Sequence, residues 1–363
     1  MTPRVLAACS PGEVRVAVVR DGELLDYAIW RPGAPDGVGD LHRARVIARV
    51  PAMAGSFLAL DGTEGFLPDS ERGAGLREGD FVSVRVTRAA QGGKGPRLTA
   101  GLAADEVPPA RGIGALLELA RRHPDAPVLI DDSALAVRMK PMLGDRVDVV
   151  IRAFDDDVEG QVQALEQPSV ELRNGARLHI HPTPALVAID VDAGGAVAPR
   201  QGKAAAHLAT NREVLPVLAR QIRLRNLSGA VLVDFAGLPA RRRVSLAPAL
   251  DAALSEDPLC PRLLGFTALG LAEIVRPRAH PPLHELLAGP HAAGLVALRR
   301  IAAVVASPPH RMPALRASPA IIAALQADTE ALPDLARRAG RGLILRSDPN
   351  LPATAWMIEA SDG

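Results

Sequence analysis

ALVAIDVDAGG at 185–195 and GAVLVDFAGL at 229–238 are short apolar runs, rich in branched residues, and each reaches an aspartate as it ends. Runs of this length and composition read as strands. The stretch between them reads as a helix over about 203–226, so the three pieces form one βαβ unit. Strands of such a unit are as a rule parallel neighbours joined by a right-handed crossover, and functional groups gather at the carboxyl ends of the strands. Asp190 and Asp234 should therefore converge. Two close carboxylates repel each other unless one is protonated or a cation lies between them. Hard oxygen ligands with open positions suit Mg²⁺ and phosphate chemistry. A strand-ending aspartate also serves as a turn or helix cap, and the pattern alone leaves both readings open.

Around this unit the rhythm changes twice. Residues 4–30 read as strands, with Asp21-Gly22 as a hairpin turn between VRVAVV and ELLDYAIW. RPGAPDGVGD (31–40) follows as a linker. From 42 to 100 the runs RARVIARV, GSFLALDG, EGFLPD, DFVSVRVTRA and PRLTA are punctuated by Gly and Asp, which predicts a small β-barrel. After 101 longer α/β periods take over. APVLIDD (126–132) and RVDVVIRAF (146–154) read as strands and VEGQVQALEQP (158–168) as a helix, with a hairpin turning at Asn174-Gly175. In the last third, helices (HAAGLVALRRIAAVVA, SPAIIAALQAD, LPDLARRAG) alternate with strands (RGLILRSD, ATAWMIEA), which predicts a small closing α/β domain.

Composition narrows the function classes. With 42 Lys+Arg against 41 Asp+Glu the net charge is +1, which argues against gripping a polyanion by bulk charge but leaves local basic patches open. The only cysteines, Cys9 and Cys260, provide neither a disulfide framework nor a cysteine zinc site. VLAAC at 5–9 has the look of a lipoprotein cleavage box, but its apolar run is far short of the roughly 7–15 residues a signal peptide needs. No run approaches the ~18 apolar residues of a membrane span, so no membrane association is expected and the expected address is the cytoplasm.

ALVAIDVDAGG, Asn211 in ATNREVLPVLARQIRLRNLSGAVLVDFAG, and LLGFTALGLAEIVRPR (263–278) together resemble the catalytic segment of the ribonuclease E/G family. GEVRVAVVRDGELLDYAIWRPG resembles the family's N-terminal hairpin, and HRARVIARVPAMAGSFLALDGTEGFLPDSE with GGKGPRLTA resembles its inserted OB-fold. The resemblance implies an α/β fold with a ribonuclease H-like and DNase I-like catalytic core, an inserted all-β OB-fold RNA-binding domain of the S-one type, and a small C-terminal α/β domain. The implied boundaries are 1–35 (first strands of the ribonuclease H-like core), 36–101 (OB-fold), 102–175 (that core continued), 176–290 (DNase I-like domain) and 291–363 (C-terminal domain).

The activity it implies is Mg²⁺-dependent endonucleolytic cleavage of single-stranded RNA, in RNA processing or decay. Asp190 and Asp234 would hold the metal, and Asp192 would support or orient one of them. The alternative is a catalytically weak or inactive RNA-binding relative in RNA metabolism or ribosome-associated complexes. Asp192 stands where the family usually carries Asn, and Gly237 where it carries another acidic residue. The family's 5′-monophosphate sensor has no counterpart here. Its zinc-linking Cys-Pro-x-Cys is absent, with RPRAHPPLHELLAGPH (276–291) in that place. No zinc is therefore expected, and any homodimer would form without a zinc link.

RNA contacts are expected from Phe57, Phe66, Lys94, Asn211, Arg223 and Arg225. Exposed aromatics on an OB-fold stack on bases, although aromatics in strands equally serve as barrel core. Lys94, on the Gly-rich stretch QGGKGPRLT, is placed to reach a phosphate. Arg220, Arg223 and Arg225, with Arg241, Arg242 and Arg243, put positive charge beside the carboxylates, which fits a polyanion crossing them. A solvated helix face explains the first three equally well. His179 with His181, and His280 with His284, are pairs lacking a third metal ligand, and Pro281 and Pro282 oppose a regular helix at the second pair.

Overall fold

The computed structural model describes residues 2–103, 105–112, 114–194, 203–306 and 312–360. Gly195, the last residue of the first motif quoted above, lies outside them. The chain forms two compact units, Met1–Val158 together with His284–Gly363, and Glu159–Leu283.

The first unit opens with β1 (Arg4–Ser10), β2 (Glu13–Arg20) and β3 (Glu23–Trp30), an antiparallel meander. Asp21 and Gly22 both take positive φ, 53° and 80°, the conformation a two-residue hairpin turn requires. Next come β4 (Leu41–Val50), β5 (Gly55–Ala59), β6 (Glu64–Pro68), β7 (Phe81–Arg88) and β8 (Arg97–Thr99). They close into a barrel in the order β4-β5-β6-β8-β7, consistent with an OB-like domain. Ala44, Val46, Leu58, Leu67, Val84, Val86 and Leu98 fill its interior. After α1 (Gly114–Arg122), β9 (Val128–Ile130), α2 (Ser133–Leu143) and β10 (Val147–Val149) return to the first sheet, whose order is β10-β9-β1-β2-β3. β9 runs parallel to β1, and β10 parallel to β9. β10 occupies only three residues of the run expected to form a strand over 146–154.

The second unit begins within α3 (Asp156–Ala164) and continues through β11 (Ser169–Glu171), β12 (Arg177–Pro182), β13 (Val187–Asp192), α4 (Lys203–Leu224), β14 (Gly229–Asp234), α5 (Ala240–Arg243), α6 (Ala247–Leu254), β15 (Arg262–Phe266) and β16 (Ala272–Arg276). Its sheet runs β11-β12-β13-β14-β16-β15, and β13 and β14 are its parallel pair. Because side chains alternate across a strand, Val187, Ile189 and Val191 point to one face of β13, and Val231 and Val233 do the same on β14. They pack with Val214, Leu215, Leu218 and Ile222 of α4 and with Leu250 and Leu254 of α6. Each such side chain contributes about 1.5–3 kcal/mol by leaving water. The same alternation turns Asp190 and Asp192 to the opposite, exposed face.

α4 ends where the sequence reads LRNLSG. Asn226 adopts φ 48°, its N–H donates to Arg223 O, and Leu227 N–H donates to Ile222 O. This paired closure satisfies the last carbonyls of the helix and aims the chain into β14. Arg276 locks the turn from the next strand, donating to Asn226 Oδ1 (2.6 Å) and to the buried Asp257 (2.7 Å).

The first unit is completed by α7 (Leu283–Leu286), α8 (Gly289–Ala306), β17 (Ala314–Ala317), α9 (Pro319–Ala327), α10 (Ala331–Ala339), β18 (Ile344–Ser347) and β19 (Trp356–Glu359). The last three strands form a sheet in the order β18-β17-β19. β17 escapes the sequence reading because its four residues, ALRA, carry too little apolar alternation. Among the described residues no helix is long and apolar enough to cross a membrane.

Candidate functional site

Asp190 and Asp234 are direct register partners on β13 and β14. Register partners on adjacent strands lie about 5 Å apart and share a face, so the two carboxylates are brought together. Asp190 is exposed and has no hydrogen-bond or ion-pair partner among the described residues. Asp234 is half exposed, and its Oδ1 accepts from Nη1 of Arg243. Arg243 is itself anchored, donating to Leu238 O (2.8 Å) and Gly270 O (3.2 Å). The guanidinium thus neutralises one side of the pair and, among the described residues, leaves Asp234 Oδ2 and both oxygens of Asp190 open.

The row extends further than these two residues. Asp190 is also paired with His179 on β12, and His179 with Ser169 on β11. A second row beside it joins Glu171, Arg177 and Asp192 across β11, β12 and β13. One sheet face therefore carries an acidic stripe along β13 and a basic, donor-rich stripe along β12. Asp192 is exposed, and its Oδ1 accepts from Gly194 N–H at 2.9 Å, so it braces the turn that leaves β13.

Two residues expected to touch RNA do something else. Asn211 is fully buried. Its Nδ2 donates to His207 O (2.7 Å) and Ala236 O (2.9 Å), and its Oδ1 accepts from Ala236 N–H (3.2 Å). It pins the loop that follows Asp234 onto α4 and has no free group for a ligand. Arg225 is buried as well. It donates to Gln221 Oε1 (2.8 Å), Gln167 O (2.7 Å) and Ala164 O (3.3 Å), tying α4 to the end of α3. Burial pulls its guanidinium down to about 10, which leaves it charged at neutral pH. Arg223 is half buried and also engaged in an interaction.

The barrel residues lie on its outer side. Phe57 and Phe66 are register partners on β5 and β6, half exposed, with ring centroids 5.4 Å apart at 61°. The neighbouring Leu58 and Leu67 take the barrel interior, so the two rings are not core. Phe66 is paired with Arg97 on β8, and Lys94 is exposed on the tight turn that precedes it.

His207 escaped the sequence reading. It is buried, with both ring nitrogens lacking a partner among the described residues, and a Cβ added to Gly237 would meet its ring atoms at 2.5–2.6 Å. Gly237 holds φ 59°, so both its backbone and the imbedded imidazole oppose a side chain there. The departure at Gly237 is therefore matched by His207. The available signal was helical spacing: His207, Asn211 and Leu215 recur every four residues on the buried face of α4.

No group of three or more His, Cys, Asp and Glu side chains converges on a metal position among the described residues. The donor set is therefore two carboxylates on an open face. That fits Mg²⁺, which keeps most of its waters and needs only one or two carboxylates.

The ribonuclease E/G family model matches residues 134–279, which include α4, the six-stranded sheet and both aspartates. Residues 134–279 are thus similar to the ribonuclease E/G family. Ribonuclease G of Escherichia coli is 37% identical over 134 residues, covering 36% of this chain and 27% of that protein. Ribonuclease E of Nostoc is 33% identical over 130 residues, 36% of this chain and 19% of that protein. Ribonuclease E of Synechocystis is 31% identical over 134 residues, 37% of this chain and 20% of that protein. The match thus spans about a quarter or less of the curated relatives.

Proposed function

We propose that this chain is a Mg²⁺-dependent endoribonuclease that cleaves single-stranded RNA. The observation that carries the proposal is the direct pairing of Asp190 with Asp234 on the two parallel strands of a family-matched βαβ unit. Asp190 and Asp234 Oδ2 would hold the cation. Bound there, Mg²⁺ supplies positive charge for the phosphate and lowers the pKa of a water molecule. Arg243 holds Asp234 in place through Oδ1, so the strand-end carboxylate meets its ligand preformed. Asn211 fixes the loop after Asp234, and Asp192 fixes the turn after Asp190. The Phe57–Phe66 pair would stack on bases, with Lys94 and Arg97 beside it for phosphates, giving grip with little sequence choice.

Strand order supports the finer fold reading too. In the first sheet a three-stranded antiparallel meander is extended on the β1 side by two parallel strands, as in a ribonuclease H-like core. No zinc is expected, since only Cys9 and Cys260 are present and Cys9 lies within β1.

A second reading, an RNA-binding relative with weak turnover, is favoured by two observations. Arg243 occupies one oxygen of Asp234, and no carboxylate stands at Gly237. Incubating a labelled single-stranded RNA with the protein, in Mg²⁺ and in chelator, separates the two. Cleavage in Mg²⁺ that disappears in chelator and in Asp190→Asn supports the nuclease. Binding without cleavage supports the relative.

A further inference from the structure

The β12 strand carries side chains that the metal site does not use. Arg177, His179 and His181 alternate with the buried Leu178 and Ile180, so all three face the same side as Asp190 and Asp192. His179 stands directly beside Asp190, is half exposed, and is braced from the far side by Ser169, whose Oγ lies 2.9 Å from its Nδ1. That contact fixes the ring. Nε2 lies on the opposite side of an imidazole from Nδ1, so it is directed away from β11 and has no partner among the described residues.

We propose that His179 is a substrate-contacting residue whose Nε2–H donates to a phosphate oxygen of the RNA, at a linkage next to the one held over Asp190 and Asp234. The inference rests on the nuclease reading above and names the residue that guides the strand into that site. A polyanion crossing two carboxylates needs donors on at least one flank, or the site repels it. β12 supplies that flank. If the Ser169 hydroxyl donates to Nδ1, the ring carries a proton on Nε2, the tautomer that can donate outward. Arg177 is less available, because Glu171 lies 3.7 Å from its guanidinium.

The test uses full-length protein carrying Asp234→Asn, so that the RNA survives, and a fluorescein-labelled single-stranded 12-mer read by anisotropy. The 12-mer is compared with versions in which one linkage at a time is a neutral methylphosphonate. His179→Ala is expected to weaken binding of the all-phosphate RNA by about 5- to 20-fold, the range for a hydrogen bond to a charged group at a partly exposed site. His179→Gln, which keeps an N–H at similar reach, is expected to recover most of that loss. Ser169→Ala is expected to cost about 2- to 4-fold. The decisive reading is the linkage scan. One methylphosphonate position should weaken the His179 protein about 5- to 20-fold and leave the His179→Ala protein unchanged within about twofold.

Equal binding by His179 and His179→Ala proteins, or equal sensitivity at every linkage, overturns the proposal. Cleavage of the unmodified 12-mer by the wild-type chain is measured alongside. Cleavage with an insensitive His179 sinks this inference alone, whereas neither cleavage nor binding sinks the nuclease reading and this inference with it.

Discussion

Two sheets in this molecule end strands on aspartates, and they treat them in opposite ways. At the end of β9, Asp131 accepts from Cys9 N–H at 2.7 Å with one oxygen and from Ala153 N–H at 3.2 Å with the other. Asp132, next to it, caps α2 by accepting from Leu135 N–H at 2.8 Å and pairs with Arg338 at 2.6 Å. Every oxygen of that pair has a structural partner. At β13 and β14, Asp190 has none among the described residues and Asp234 has one oxygen occupied. Sequence alone gives the two cases the same form, an apolar run closing on aspartate. What separates them is the partner strand: consecutive aspartates at one strand end meet their own loop and helix, whereas aspartates on two parallel strands meet each other.

Exchanging the carboxylates gives the largest contrast. Asp190→Asn or Asp234→Asn should lower kcat on single-stranded RNA by on the order of 10²–10³-fold, since the metal's charge stabilisation is worth several kcal/mol. The melting temperature should hold or rise slightly, because one of two facing like charges is removed. Asp131→Ala should do the reverse. Leaving two backbone N–H groups unpaired costs about 1–3 kcal/mol of stability, read by denaturant unfolding, with kcat of the folded fraction unchanged. A stability loss at Asp190 without an activity loss would break the comparison.

Asn211 offers an intermediate case, hydrogen-bonded to backbone like the β9 pair yet attached to the loop that follows Asp234. Asn211→Ala strands Ala236 N–H and O and should cost about 1–3 kcal/mol. It should also lower kcat more than it raises KM, since the displaced loop carries Asp234 and does not itself touch substrate. An equal change in KM would mean that Asn211 meets RNA after all.

A smaller effect is expected from the barrel. Changing Phe57 and Phe66 together to Ala should weaken single-stranded RNA binding by about 1–3 kcal/mol per stacked base, measured by anisotropy. Their half exposure predicts only a slight loss of barrel stability. A cooperative unfolding of the barrel would make the rings core instead.

How far the sequence foretold this site follows from the same physics. Period-two alternation in VAIDVD and AVLVD identifies strands and, with the intervening helix, their parallel pairing, so the meeting of Asp190 and Asp234 was legible. Asp21-Gly22 was legible for a local reason, since a two-residue turn demands positive φ at both positions. The roles of Asn211 and Arg225 were not. Their polar side chains look surface-bound in one dimension, and only the packing of α4 against the loop after β14 and the end of α3 turns them inward. His179 could be placed on a strand face but not beside Asp190, because antiparallel register depends on the exact length of the connection between β12 and β13. Gly237 looked like a lost carboxylate, and its tie to His207 is a contact across thirty residues of chain that no local pattern carries.

The smallest test bears on the structural pair at β9. The Cys9 thiol is pushed well above its ordinary value, first by burial and then by the charges of Asp131 and Asp132. A raised value in the folded state means that the native thiol keeps its proton where the unfolded one, near 8.5, would begin to lose it. The stability this contributes is complete below about pH 8 and declines as pH rises beyond the unfolded value. Since thiolate is the reactive form, Cys9 should resist a thiol-specific disulfide reagent at pH 8 while the exposed Cys260 reacts. Native protein should release about one equivalent quickly, and unfolded protein two. Asp131→Asn removes one of the charges that hold the proton and should speed Cys9 labelling a few-fold without touching Cys260. Equal fast labelling of both thiols in the native protein would show that the β9 carboxylates are as open as Asp190, and the contrast between the two sheets would fail.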